Sequence, residues 1–429
     1  MVKQENPVDK ERAVLVGLWA DSMEPEERSS KESLEELAAL LDTAGGEAVG
    51  RILQNRHKPD PRSFIGQGKV EEVKTLLQAT DSTLALFDNE LTPSQMRVLS
   101  EDLGVRVLDR SGLILDIFAQ RAQTREGRLQ VELAQYRYLL PRLTGMWTHL
   151  DRETAAGGGA PIGTRGTGET QLEDDRRYIR RRIEALEKEL SQVRKTRSTQ
   201  RRLRQKQNIP VIAMVGYTNA GKSTLLNALT GADIQANDRL FDTLDTTTRK
   251  LTLSPTCQAL LSDTVGFIRK LPHHLIEAFK ATLEELTYAD VILHVVDVSS
   301  PVWQEQASVA ERLIQELCSP STPKLTVYNK ADLADLTDHA ALPEGKDILT
   351  ISARTGQGLG ELKERLRQTL DLGRKKVTLL IPFHHGEVVD LLHQQGEILS
   401  LAYGETGVEV EAILREPLLN QTSLFQIEE

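Results

Sequence analysis

Eight residues, Gly216-Tyr217-Thr218-Asn219-Ala220-Gly221-Lys222-Ser223, carry the G-x-x-x-x-G-K-S spacing of a phosphate-binding loop. The glycines let successive N–H groups curl around phosphate oxygens where a Cβ would intrude. Lys222 supplies a point charge to the β- and γ-phosphates, and the Ser223 hydroxyl suits Mg2+. The apolar run Val211–Val215 reads as the strand leading in, and a helix starting near Ser223 adds its positive end. A glycine turn is the bland alternative, and the strand–loop–helix context argues against it.

Further chemistry-bearing groups follow in a telling order. Asp263-Thr264-Val265-Gly266 closes the apolar run Ala259–Ser262. Its carboxylate suits Mg2+ through water, and the Gly266 N–H suits a γ-phosphate. Asn329-Lys330-Ala331-Asp332 closes the run Leu325–Tyr328, and Asp332 explains a choice of base. Its two oxygens accept from guanine N1–H and the 2-amino group, a pairing adenine does not offer. Ser352-Ala353-Arg354 follows the run Ile348–Ile351, where the Ala353 N–H is expected to meet guanine O6. Each tetrapeptide alone is weak. Four in order, each at the carboxyl end of a strand, predict a GTP-binding domain.

A switch threonine is expected in Phe241-Asp242-Thr243-Leu244-Asp245 and the Thr-rich residues after it, with Thr243 preferred and Thr247 second. A plain polar loop is the alternative for either. Phe267 stands after Gly266, where many such switches have a glutamine that orients the attacking water. Slow unaided hydrolysis is therefore expected, and no residue stands out as a general base.

The elements that must hold these groups alternate strand and helix from about 207 to 373, with five apolar runs, Val291–Val296 among them, as inner strands of a mostly parallel sheet. Before them, a small α/β domain is expected over 10–110, opening on the strand-like Ala13–Trp19. A helical hairpin is expected over 111–206. Leu172, Ile179, Ile183, Leu186, Leu190 and Val193 have heptad spacing, and Gly157–Gly168 forms a glycine-dense loop at the tip. A small βαββ domain is expected over 374–429. The fold class is thus α/β, with an N-terminal α/β domain, a long antiparallel hairpin, a phosphate-loop domain and a small α+β tail.

Composition agrees with a soluble chain: 429 residues, 39% hydrophobic and 27% charged. Two cysteines, Cys257 and Cys318, rule out a disulfide framework and suit a reducing cytoplasm. The opening MVKQENPVDKER has no apolar signal-like stretch, and no run approaches membrane-spanning length. The net charge of −10 hides an asymmetry: between Arg176 and Lys206, thirteen Lys/Arg stand against three acids. Such a stripe suits docking on a polyanion at one place, or else a solvated helix face. Gly66-Gln67-Gly68-Lys69 lacks full loop spacing and reads as a turn before a helix. The pairs His273-His274 and His384-His385 read as surface residues.

The sequence resembles the HflX family of translation-factor-related GTPases along nearly its whole length. The resemblance rests on KPDPRSFIGQGKVEEV at Lys58–Val73, DRSGLILDIFAQRAQTREGRLQVELAQ at Asp109–Gln135, GTRGTGETQLEDDRR at Gly163–Arg177, GYTNAGKST and DTVGFIRKLPH. It implies a cytoplasmic, monomeric GTPase that binds the large (50S) ribosomal subunit and its rRNA and splits stalled 70S ribosomes under stress. It also implies guanine-nucleotide contacts at 216–223, 241–245, 263–266, 329–332 and 352–354, with Mg2+ on Ser223 and Thr243. Arg176, Arg177, Arg180, Arg181, Arg182, Arg201, Arg202 and Arg204 then become candidates for rRNA phosphates, and the glycine loop a probe of an RNA cavity. The alternatives are an assembly or dormancy GTPase that binds 50S without splitting, and an RNA-remodelling ATPase working through the N-terminal domain.

Overall fold

The protein was analysed as a computed structural model, which describes residues 10–143, 167–206, 209–232, 240–241, 247–254, 257–270, 286–333, 343, 345–371, 374–404 and 406–427. The glycine loop ahead of residue 167, His273-His274 and the residues 242–245 lie outside the described residues. The chain forms two compact units. One comprises residues 1–191 with the segments 237–245 and 268–280; the other comprises 192–236, 246–267 and 281–429.

The first unit is built on a four-stranded parallel sheet. Its strands are β1 (Arg12–Ala20), β2 (Glu47–Arg56), β3 (Leu84–Phe87) and β4 (Arg106–Asp109), in the order β2-β1-β3-β4. The helices α1 (Lys31–Thr43), α2 (Gln67–Ala79) and α3 (Pro93–Leu103) alternate with them. Ser30 and Ser33 form a capping box for α1, and Thr92 and Gln95 one for α3, which places Pro93 in the first turn where its missing N–H costs nothing. Gly66 caps α2, so the glycines there make a helix start. β2 was not expected: as an edge strand with Gly50, Arg51, Gln54 and Asn55 it lacks a continuous apolar run.

Past β4 the chain forms α4 (Arg110–Arg121) and α5 (Arg125–Leu139). One continuous helical stretch was expected; instead Ala122 leaves helical geometry (ψ 108°) and Thr124 caps a new helix by accepting from the Gly127 N–H. The long helix α6 (Thr167–Lys206) then spans about 60 Å at 1.5 Å per residue. Its heptad residues Ile179, Leu186 and Leu190 are buried, as are Leu129 and Leu133 of α5. Arg125–Glu189 and Arg182–Glu132 bridge the two helices in opposite chain order, so they run antiparallel.

A buried charge cluster lies at the carboxyl end of β3. Asp88 accepts from Ser29 (2.7 Å), Ser33 (2.9 Å), Arg110 (2.8 Å) and Lys270, and Arg110 also pairs with Glu36. Burial alone would raise the Asp88 carboxyl, but the charges of Arg110 and Lys270 outweigh it and hold it below the usual carboxylate range.

The second unit carries a six-stranded sheet: β5 (Val211–Gly216), β6 (Thr247–Ser254), β7 (Cys257–Asp263), β8 (Val291–Asp297), β9 (Lys324–Asn329) and β10 (Ile348–Thr350), in the order β10-β9-β8-β5-β7-β6. Every pairing is parallel except β6 with β7. The five expected runs are all strands. The antiparallel edge β6 is not among the expected strands, because its threonines alternate with few apolar residues. Helices α7 (Lys222–Thr230), α8 (Trp303–Leu317) and α9 (Leu359–Asp371) follow strands in the parallel pattern. The chain ends in β11 (Arg374–Ile381), α10 (Gly386–Gln395), β12 (Glu397–Tyr403), β13 (Val408–Arg415) and α11 (Glu416–Thr422), with the three strands antiparallel in the order β11-β13-β12. Among the described residues no helix is long and apolar enough to cross a membrane.

Candidate functional site

The phosphate loop joins β5 to α7, and two of its glycines answer to distinct constraints. A Cβ on Gly216 would sit 2.1 Å from the Val295 carbonyl oxygen, because β8 passes directly beside it. Gly221 adopts φ +86°, and a Cβ there would meet Asn329 Nδ2 at 2.4 Å. Asn219 takes the left-handed conformation at φ +61°, which asparagine tolerates better than most residues.

Lys222 is buried, and its Nζ donates to the carbonyl oxygens of Gly216 (3.2 Å) and Tyr217 (2.8 Å). The amine is thereby held inside the curl of the loop. Burial pushes it down to about 8, opposed by the Asp263 charge, so it remains cationic at neutral pH. Ser223 Oγ donates to Asp263 Oδ2 at 2.8 Å. The hydroxyl at the start of α7 and the carboxylate at the end of β7 form an oxygen donor pair of the kind a hard divalent cation takes, so the residues fit Mg2+.

Asp263 ends β7 beside β5, and the residues after it are fastened to the loop. Thr264 Oγ1 donates to the Met214 carbonyl at 2.7 Å, a structural bond. Gly266 lies against Thr218 and Lys222, where a Cβ would come within 2.9 Å of Thr218 Cα and 3.0 Å of Lys222 Nζ. The Phe267 N–H donates to the Gly216 carbonyl (3.0 Å), and its own carbonyl accepts from the Thr218 N–H (2.7 Å). With its ring buried, Phe267 is a clasp between the two motifs.

The base-recognition motifs close the other side of the loop. Asn329 Nδ2 donates to the Ala220 carbonyl, and Asn329 Oδ1 accepts from the Ala353 N–H, both at 2.9 Å. The second bond gives the Ala353 N–H, expected to meet guanine O6, an acceptor within the protein as well. The position of Asn329 between two loops gives its amide this stitching role. Exposed Asp332 accepts from Ser352 Oγ at 2.6 Å, which orients its carboxylate. Lys330 at φ +64° pairs with Asp297 at 2.7 Å. Asp297, a residue the motif reading passed over, ends β8, and that position at a strand's carboxyl end was its available signal. Arg354 is exposed.

The structure thus brings together 216–223, 263–267, Asn329, Lys330, Asp332 and the residues 352–353. The Phe241 ring packs edge-on against Phe118, with centroids 4.7 Å apart. Thr247 opens β6 opposite Asp263, while Asp242, Thr243, Leu244 and Asp245 are outside the described residues.

Comparison with known proteins agrees with this arrangement. Family models described as GTP-binding GTPase N-terminal, GTP-binding GTPase middle region and 50S ribosome-binding GTPase match residues 31–119, 121–204 and 211–330. The chain is 47% identical to the GTPase HflX of Caldanaerobacter subterraneus subsp. tengcongensis, covering 94% of this chain and 91% of that one. It is 41% identical to the GTPase HflX of Escherichia coli K12, covering 97% and 96%. Among solved structures, the SsGBP–GDP complex matches with a TM-score of 0.47 at 25% identity, covering 85% of this chain and 99% of that one. Whole-length similarity of this order, joined to a complete set of guanine-nucleotide motifs, places the chain in the HflX family of GTPases.

Proposed function

We propose that this GTPase binds the large (50S) ribosomal subunit in its GTP state and separates stalled 70S ribosomes, acting as a monomer in the cytoplasm. The reading is carried by one combination: a guanine-nucleotide site and a long helix bearing five arginines within Arg176–Arg182 on the same chain. The match to a family model described as 50S ribosome-binding GTPase supports it. The exposed arginines Arg177, Arg180 and Arg181 suit rRNA phosphates.

At the nucleotide, Gly216, Tyr217, Thr218, Asn219, Ala220, Gly221, Lys222 and Ser223 cradle the phosphates. Asn329, Lys330, Ala331 and Asp332, with Ser352, Ala353 and Arg354, form the base pocket. Asp332 selects guanine through its two oxygens, and Ser352 holds it in place. In Asp263-Thr264-Val265-Gly266 the Asp263 carboxylate suits Mg2+ through water and the Gly266 N–H senses the γ-phosphate, with Phe241, Asp242, Thr243, Leu244 and Asp245 as the other switch. Ser223 and Thr243 would hold Mg2+, which neutralises charge on the β- and γ-phosphate oxygens when bound. Phe267 offers no group to orient water, so a partner completes the site and hydrolysis serves release.

Sedimentation of 70S ribosomes through sucrose with this protein and either GDP or a non-hydrolysable GTP analogue tests the reading. The expected result is loss of the 70S peak with protein on the large subunit, in the analogue only. Binding with an intact 70S peak would instead favour an assembly or dormancy role.

A further inference from the structure

The small C-terminal domain holds a disproportionate share of exposed apolar surface. Of ten large hydrophobic residues exposed among the described residues, six belong to it: Leu380, Phe383, Leu399, Tyr403, Leu424 and Ile427. Tyr403 is 76% exposed, Leu424 89%, Phe383 58% and Leu399 46%. The domain's core is complete without them, formed by Leu379, Ile381, Leu392, Val408, Val410 and their neighbours. Apolar surface concentrated in this way and not needed for folding marks an interaction site.

The sheet locates that site. The outer edge of β11 is engaged by the chain itself, since Leu379 bridges to Gln426 and the Ile427 N–H donates to the Thr378 carbonyl at 2.9 Å. β12 is the opposite edge strand; it carries Leu399 at a bulge and ends in Tyr403. In register, Tyr403 faces Val408, which faces Ile381, so Tyr403 and the Pro382-Phe383 segment share one end of the sheet. With strands about 4.8 Å apart, that end spans about 10 Å.

Charge identifies the partner. Residues 374–429 contain nine acids and four bases. The bases gather at the other end of the sheet: Arg374, Lys375 and Lys376 open β11, and Arg415 stands opposite Arg374. Lys376 is further neutralised by Glu411 at 2.6 Å. The exposed Glu409 on β13 pairs in register with Ala402, next to Tyr403, the exposed Glu387 follows Phe383 by four residues, and the sequence has no Lys or Arg between Val377 and Leu414. An acidic, aromatic surface repels a phosphate backbone and suits a cationic polypeptide with apolar anchors.

We propose that the Tyr403 end of the C-terminal sheet, with the β12 edge, docks a basic protein of the large ribosomal subunit, and not its RNA. The proposal rests on the ribosomal reading above. It separates two recognition tasks on one chain, with RNA taken by the arginine-rich helix α6 and protein by the acidic tail.

The test places the photo-cross-linker p-benzoylphenylalanine at position 403 of the full-length protein, bound to purified large subunits with a non-hydrolysable GTP analogue. A second version carries it at position 178, an exposed tyrosine on α6. The expected result is a cross-link from position 403 to a basic ribosomal protein and from position 178 to rRNA. Cross-linking from 403 to rRNA, or none while position 178 reacts, overturns the docking proposal and leaves the ribosomal reading intact. Failure of the protein to sediment with large subunits removes that reading and the proposal with it. In parallel, the surface variants Leu399→Lys and Tyr403→Lys together should weaken large-subunit binding by about tenfold or more, as loss of an aromatic anchor does. GTP turnover of the free protein should not change. Unaltered binding by the double variant counts against the proposal.

Discussion

In the proposed site the Asp332 carboxylate selects the base, and its hydrogen bond from Ser352 limits the ways it can turn. Replacement Asp332→Asn keeps the shape but exchanges an acceptor oxygen for a donor amide. Each hydrogen bond to a charged group is worth about 1.5–3 kcal/mol, so GTP affinity should fall by about a hundredfold while xanthosine triphosphate gains. Calorimetric titration with both nucleotides reads the outcome, and an unchanged preference would remove Asp332 from base selection. Phe267 makes the opposite kind of prediction. Because its ring is buried and its backbone is clasped to Gly216 and Thr218, Phe267→Gln should not create a water-orienting group. Single-turnover hydrolysis should rise less than about twofold over the natural protein, in contrast to switches that use glutamine there. A large acceleration would show that the position reaches the attacking water.

His294 shows what a titratable group does when a strand carries it inward. It lies in β8, nearly wholly buried, with Nδ1 3.8 Å from Glu311. Burial pushes its imidazole down to about 4, against the opposing pull of Glu311. In the unfolded chain it protonates near 6.5, so below that value the unfolded state takes up a proton that the folded state refuses. Stability therefore falls as pH drops from about 6.5 to about 4, by roughly 3 kcal/mol in all for this group. Urea midpoints across that range should drop more steeply for the natural protein than for His294→Leu.

At the scale of elements, the buried cluster at the end of β3 carries the clearest energetic consequence. Arg110 is 1% exposed and the Lys270 side chain 9%, so Asp88→Ala takes Lys270 away from its carboxylate and leaves Arg110 with Glu36. Breaking a buried pair in this way costs about 3–5 kcal/mol. The full-length variant should lose that much in urea denaturation; a loss below about 1 kcal/mol would show that water reaches the cluster. Sequence patterns served the regular elements well, because a parallel strand buried on both faces must be apolar throughout, as Val211–Val215 and Val291–Val296 are. Edge strands escape that demand. β2 and β6 each face solvent on one side and could not be told from loops by apolar runs.

For the whole molecule, a net charge of −10 and a basic helix imply binding that is local and salt-sensitive. Arg180 and Arg181 are exposed, and Arg180 makes a 3.6 Å contact with Glu173. If both meet rRNA phosphates, the double variant Arg180→Gln with Arg181→Gln should lower the slope of log affinity against log salt by about 1.5–2. Large-subunit binding at several potassium concentrations measures it, and an unchanged slope would return α6 to the role of a packing helix.

The sequence by itself determined the nucleotide chemistry, because phosphate binding and guanine selection depend on short runs whose residue types have few substitutes. G-x-x-x-x-G-K-S, DTVG, NKAD and SAR could be read in order, and so could the seam of Ile179, Leu186 and Leu190. Tertiary structure alone decided how the motifs share their donors and acceptors. Asn329 binds both Ala220 and Ala353, so the Ala353 N–H expected at the base is engaged within the protein. Phe267 became a clasp, and Lys270 closed a charge cluster with Asp88, 182 positions away in the chain. Such pairings follow from which strand lies beside which, and a local pattern of residues carries no information about neighbours brought together only by folding.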